Sequence, residues 1–264
     1  MPANGADQST NREGRGSRED VTTAGKAVSR LVIAIDGPAA SGKSTIGRAL
    51  AHALGLLYLD TGAMYRAVTW LALQRGINPA DEAAVTELAT GAAFVFPQLH
   101  HAATVNPPSK DMLVNVDGHD ATDGIREPSV DAWVSVVASY PGVRTALVRE
   151  QRKIARAQGV VMVGRDIGTV VLPDADLKIF LVASAEERAR RRYEERLALG
   201  QEADYDEIRR AMERRDQLDT ERAHSPLRAA PDAVALDTTG LTIDQVIDRA
   251  LELARAAAAR ATSL

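Results

Sequence analysis

The stretch LVIAIDGPAASGKSTIGRALAHALG, residues 31–55, decides the fold. LVIAI (31–35) is a continuous apolar run of strand length. A glycine-rich loop follows it. Ile46, Leu50, Ala53 and Leu54 then recur at helical spacing in a helix from Ser44 to Leu54, which Gly55 stops. GPAASGKS (37–44) matches G-x-x-x-x-G-K-[ST] and lies between a strand and a helix, the context in which that pattern has a mechanism. Gly37 and Gly42 let the backbone turn tightly, so successive N–H groups face inward. Together with the helix N-terminus they hold phosphate oxygens. Lys43 supplies a point charge to the β- and γ-phosphates, and the Ser44 hydroxyl reaches Mg²⁺. The loop predicts a nucleoside triphosphate without saying what it is used for.

At 264 residues the chain can bury a full core. It is 45% hydrophobic and 26% charged, with a net charge of −4, so no global polycation points to nucleic acid. The cations are lopsided: only Lys26, Lys43, Lys110, Lys153 and Lys178 are lysines, and the rest are Arg. There is no Cys, which excludes disulfides, thiolate metal sites and a Cys nucleophile, and fits a cytoplasmic location. No apolar run approaches the roughly 20 residues of a membrane span.

Residues 1–29 are polar, charged and without periodicity, as expected of a disordered tail. The globular domain is expected over 30–264. LLYL (56–59) reads as a second strand, with helices over about 62–75 and 81–90. FVFP (94–97) and MLVNVDG (112–118) alternate like half-buried strands around the loop QLHHAATVNPPSKD, a small β-rich insertion at about 94–130. Helical patterning covers 128 to about 157. VVMVG (160–164) and LKIFLVA (177–183) are buried strands of parallel-sheet type. An Arg-rich helical region covers 185–222 and breaks at Gly200. AVALDT (233–238) is the last strand, and a helix over 242–260 carries Ile243, Val246, Ile247, Ala250, Leu251 and Ala254 on one face. Strands alternating with helices imply an α/β fold with an open parallel sheet covered on both faces. Its ligands belong beyond the C-terminal strand ends.

Downstream of the loop there is no usable D-x-x-G or N-K-x-D element of a small GTPase, and no acidic Walker B strand end. Transfer of phosphate to a small acceptor remains. An ionised phosphate monoester needs positioning and charge neutralisation rather than a general base. The scattered His52, His100, His101, His119 and His224 read as surface residues. Arginine forks clamp phosphate, and several Arg stand in structured contexts. Arg66 lies near a helix N-terminus, about 200° around the helix from the apolar Met64–Val68–Leu71–Ala72 stripe. A cation there opposes the macrodipole. Arg144 follows Pro141-Gly142, and Arg165 follows the VVMVG strand directly. For Arg188 to Arg196, the interleaved Glu186, Glu187, Glu194 and Glu195 make a solvated, ion-paired face the plain alternative.

Four motifs in order, IDGPAASGKST, LDTGAMYRA, GRDIGTVVLPDADLKIFL with SAEERARRR, and RRDQLDTERAHSPL, resemble the bacterial cytidylate kinases from about Leu31 to the C-terminal helix. These are P-loop nucleoside monophosphate kinases. The resemblance implies a five-stranded parallel core, a helical lid at about 188–210 and a monophosphate-binding insertion. It implies that ATP is the donor, with Mg²⁺, and that CMP or dCMP is the acceptor. Gly37, Pro38, Ala39, Ala40, Ser41, Gly42, Lys43, Ser44 and Thr45 would bind ATP, with Lys43 bridging to the transferred group. Arg66, Arg165 and Arg222 would hold the acceptor phosphate, with Thr61 and Tyr65 beside the acceptor. Thr61 stands where the family commonly has Ser. Ser135, Arg144 and Asp166 match cytosine-reading positions, and Arg215 and Asp219 lie near the ribose. Arg188 is the lid arginine assigned to catalysis. Asp36 either orders Mg²⁺ waters or caps the loop. The partners implied are small molecules alone, with no nucleic acid and no membrane, and a monomer is expected. Two alternatives stay open: a kinase for UMP, AMP or shikimate, and an Arg-rich nucleic-acid-binding protein switched by ATP.

Overall fold

The computed structural model describes residues 30–96, 113–222 and 224–262; the expected tail (1–29) and the loop at 98–111 lie outside the described residues. β1 (Val32–Asp36), α1 (Lys43–Leu54), β2 (Leu57–Asp60), α2 (Thr61–Gln74) and α3 (Glu82–Gly91) open the fold. Three short strands follow, β3 (Phe94–Val95), β4 (Asn115–Val116) and β5 (His119–Asp120), then a 3-10 turn at Gly124–Arg126. Next come α4 (Pro128–Val137), α5 (Pro141–Ala157), β6 (Val160–Gly164), a π-helical turn (Ile167–Val171) and β7 (Leu177–Val182). α6 (Ala185–Ala198), α7 (Tyr205–Glu221), β8 (Val234–Asp237) and α8 (Ile243–Thr262) complete it.

The central sheet has five strands in the order β2-β6-β1-β7-β8, and every neighbouring pair is parallel. Side chains alternate across a strand, and here both faces are apolar. Ile33 and Ile35 pack with Ile46 and Leu50 of α1 and with Val246 and Ala250 of α8. Ala34 and Met162 face the other way, against Met64, Val68 and Leu71 of α2 and Leu147 of α5. The result is the expected three-layer α/β arrangement. Burying Met64, Val68 and Leu71 contributes about 1.5–3 kcal/mol each. Parallel pairing brings Asp36, Asp60 and Gly164, the last residues of β1, β2 and β6, to the same C-terminal end of the sheet.

Three elements differ in detail from the sequence expectation. The helical region 128–157 is two helices, because Pro141 occupies the first position of α5. The residue before a proline is kept out of helical backbone space, and Tyr140 is extended, at φ −68 and ψ 118. That break puts Arg144 in the first turn of the new helix. The small sheet has one more strand than expected: β4 and β5 form a hairpin across Asp117-Gly118, both at positive φ. On α8 the buried face is Val246, Ala250, Ala254, Ala257 and Ala258, and Ile243 is 60% exposed.

Gly200, at φ 70, ends the α6 region as its position suggested. Helices α6 and α7 are each capped, by Ser184 and Asp204 accepting from the amides of Glu187 and Glu207. They share a small core of Ala189, Ile208 and Met212, which packs on Ala39 and Ala40 of the phosphate loop. This helical hairpin therefore sits directly over the loop.

Candidate active site

The loop after β1 turns through Gly37 (φ 150), Ala40 (φ 55) and Gly42 (φ 95). A Cβ on Gly37 would lie 2.3 Å from the Leu181 carbonyl oxygen on β7, so only glycine lets the loop pass so close to that strand. The amides of Ala39, Ala40, Ser41 and Gly42 donate to no protein acceptor among the described residues. Such a run of N–H groups at a helix N-terminus is an anion cradle. Lys43 is buried beside it, donating to the Pro38 carbonyl at 2.5 Å and to Ser41 Oγ at 3.4 Å. Burial first, and then the Arg165 cation, hold its pKa well below the usual lysine range.

Asp36 does not reach towards Ser44. Its Oδ1 accepts from the Ile167 amide at 2.8 Å and its Oδ2 from the Gly168 amide at 2.7 Å. These bonds fasten the loop after β6, whereas the sequence readings are capping of the phosphate loop or ordering of Mg²⁺ waters. Burial pushes its carboxyl up to about 6, although the two amides act in the opposite direction. The carboxylate beside Ser44 is Asp60, with Ser44 Oγ donating to its Oδ2 at 3.2 Å. Asp60 ends β2 and caps α2 by accepting from the Gly62 amide at 2.9 Å. From the sequence, Asp60 reads only as a helix start.

Across from the loop, arginines collect at the ends of β6, α2, α5 and α7. Arg165 Nε donates to Asp219 Oδ2 at 2.8 Å. Arg144 pairs with Asp166 in a buried bridge, and Asp166 Oδ1 is 3.9 Å from Arg222 Nη2. The Arg144 guanidinium lies 5.5 Å from the centre of the Tyr65 ring, a cation–π contact. Burial pushes the Tyr65 hydroxyl up to about 12, so it remains a hydrogen-bond donor. Arg66 bonds the Ile125 carbonyl at 3.0 Å and Asp131 on α4 at 2.5 Å. The carboxylate Asp131, not anticipated from the sequence, is what resolves the dipole conflict at Arg66. Arg215 makes no ion pair among the described residues, and its buried Nε is without a partner. Burial lowers the pKa of both Arg215 and Arg222, with Arg165 acting on the first and Arg144 on the second.

Five guanidinium groups (Arg66, Arg144, Arg165, Arg215, Arg222) thus meet three carboxylates (Asp131, Asp166, Asp219) at this end. The excess of two positive charges matches a phosphate monoester, whose second pKa of about 6 leaves it close to doubly charged at pH 7.

The remaining candidates separate. The Thr61 hydroxyl is committed to the Val163 carbonyl at 3.0 Å, tying α2 to β6. Ser135 is half-buried on α4, one turn after Asp131, and bonds none of the other site residues. Arg188 is the cation of α6 that turns inward: it donates to the Ala39 carbonyl at 3.3 Å and to Asp216 at 2.5 Å. Arg190 and Arg192 pair with Glu187, Glu194 and Glu195, as the interleaving predicts. Arg191 bonds Thr238 across the loop and comes within 4.0 Å of where a Cβ on Gly42 would be.

The described residues place no cluster of carboxylates and histidines able to hold a metal by themselves. A parallel sheet with this loop on its central strand and arginines at the neighbouring strand end defines a P-loop kinase. A family model described as "Cytidylate kinase" matches residues 33–256, and the chain belongs to that family. The cytidylate kinase of Bacillus licheniformis is 48% identical over 224 residues, 85% of this chain and 96% of that protein. That of Desulfitobacterium hafniense is 51% identical over 223 residues, 84% of this chain and 92% of the other. A bifunctional pantoate ligase/cytidylate kinase of a Synechococcus species is 50% identical over 226 residues, 86% of this chain but 41% of that longer protein.

Proposed function

We propose that the protein transfers the γ-phosphoryl group of ATP to CMP or dCMP, giving CDP or dCDP, as a cytoplasmic monomer. The observation that carries the reading is the acceptor clamp facing the phosphate loop, with its two unbalanced positive charges. In this reading the loop from Gly37 to Thr45 holds the donor phosphates, and Lys43 follows the group in transfer. Arg66, Arg165 and Arg222 hold the acceptor phosphate, and Arg215 and Asp219 lie by the ribose. Arg188, anchored between Ala39 and Asp216, joins the hairpin of α6 and α7 to the donor loop, so the hairpin acts as the lid. Closure there excludes water, which would otherwise compete as acceptor.

The fixed Arg144–Asp166 pair supports a choice of base. Cytosine presents an amino donor beside N3 and O2 acceptors, which suits a carboxylate and a guanidinium. Uracil reverses the polarity at two of those atoms and leaves a buried group unpaired. Ser135, half-buried on α4, would add a third contact. Mg²⁺ fits Ser44 and Asp60, one hydroxyl and one carboxylate 3.2 Å apart. That is the sparse protein share expected when most ligands are phosphate and water. Bound there, the ion would neutralise charge on the donor phosphates.

Among the alternatives, a nucleic-acid surface is disfavoured because the arginines of α6 are largely spent on neighbouring carboxylates. A coupled assay with ATP and each nucleoside monophosphate tests the proposal. CMP and dCMP should be the fastest acceptors, and equal rates with UMP and CMP would undo the cytosine assignment.

A further inference from the structure

We infer that Asp131 is a resident counter-ion of Arg66 which the acceptor phosphate has to displace, so that this carboxylate weakens acceptor binding. The inference rests on the reading of Arg66 as a phosphate ligand. Arg66 projects from α2 and is held by two groups of one neighbouring segment, the Ile125 carbonyl at 3.0 Å and Asp131 Oδ1 at 2.5 Å. Asp131 lies on the same face of α4 as Ser135, four residues on. Both Asp131 and Arg66 act electrostatically on Arg215, so the carboxylate faces the clamp rather than bulk solvent alone.

The three carboxylates of this end are not equivalent. Asp166 is buried between Arg144 and Arg222, and Asp219 is largely buried against Arg165. Asp131 is 47% exposed, and Arg66 is its single side-chain partner among the described residues. Removing Asp166 or Asp219 from its arginine would strand a buried charge, whereas Asp131 can exchange Arg66 for water. An exposed pair of this kind holds only weakly. A phosphate monoester brings nearly twice the charge and three acceptor oxygens to the same guanidinium fork, so it wins the exchange. The displaced carboxylate remains close by and opposes the incoming dianion. Competition and repulsion both act on the phosphate and neither acts on the nucleoside.

Calorimetric titration of the full chain tests this with CMP and with cytidine, for the wild type and Asp131→Asn. The substitution keeps the side-chain shape and removes the charge. CMP should bind about two- to fivefold tighter to the variant. Cytidine affinity should stay unchanged, which also reports an intact fold. The gain for CMP should shrink as salt is raised, because the pair is solvent-exposed. Equal or weaker CMP binding by Asp131→Asn would overturn the inference, since it would mean that Asp131 holds Arg66 ready for phosphate. An equal gain for cytidine would overturn it too. Failure of the wild type to bind CMP would overturn the proposed function, and this inference with it.

Discussion

Under the proposed function, one unbroken loop, Gly37 to Thr45, makes the donor end of the site. The proposed acceptor end is assembled from Arg66 on α2, Arg144 on α5, Arg165 after β6, and Arg215 and Arg222 on and after α7. In that reading the donor end works through backbone: amides without protein partners among the described residues, a helix N-terminus and a close glycine contact with β7. There the acceptor end works through side-chain charge, with Asp166 and Asp219 holding Arg144 and Arg165 in place. A phosphate of ATP is gripped the same way whatever the enzyme does next, so a local device suffices. An acceptor has to be chosen, and choice requires groups brought from several directions.

If the two ends are separate devices, changes in each should read out on different substrates. Arg165→Ala should have the largest effect. It removes the guanidinium nearest the β6 end and leaves Asp219 without its partner. Loss of such a charge stabiliser is expected to lower kcat by about 100-fold or more in steady-state assays. Activity within twofold of wild type would misplace the acceptor phosphate. Gly37→Ala is the counterpart at the donor end. Its Cβ would lie 2.3 Å from a β7 carbonyl that cannot move aside, so the loop must shift. ATP binding should weaken by about tenfold, near 1.4 kcal/mol, while CMP affinity measured without ATP stays close to wild type. A loss shared equally by both substrates would break the separation.

The smallest expected effect falls on the group that joins the two ends. Asp36 closes the donor strand yet fastens Ile167 and Gly168, next to Arg165 and Asp166. In Asp36→Asn one of those amides meets an NH₂ donor instead of an acceptor, while the cost of a buried charge is relieved. The balance should be a loss of about 1 kcal/mol, seen as roughly 2–4 °C in Tm. The variant should also change the stability profile between about pH 4 and 6. With the folded carboxyl raised to about 6 from 3.8, the native state binds more protons between those values. Asp36 therefore makes stability fall as pH rises through that window. Without the carboxylate, that part of the slope should vanish in pH-dependent thermal melts.

Much of the fold follows from patterning that needs no partner. LVIAI, VVMVG and LKIFLVA are apolar on both faces, which only a sheet covered on both sides satisfies, and the three lie side by side at its centre. Arg165 stood out because it follows a buried strand without a break. Pairings across distant segments were not legible in the same way. Asp60 has the sequence appearance of a helix cap and is one, but its nearness to Ser44 depends on β2 and β1 both pairing with β6. Asp131 reads as one more acidic residue in a helix. The split at Pro141 was visible as a proline, while its consequence, Arg144 aimed at Asp166, needed the direction of α5.

The sequence by itself determined the phosphate loop, the parallel sheet and the inward face of α2, because each depends on residues within a few positions of one another. Backbone turns and apolar periodicity are local properties. Only the tertiary structure decided which carboxylate answers which arginine. Asp36 was drawn to the β6 loop, Asp60 to Ser44 and Asp131 to Arg66, since charges pair by distance in space, and strand order and helix direction set that distance.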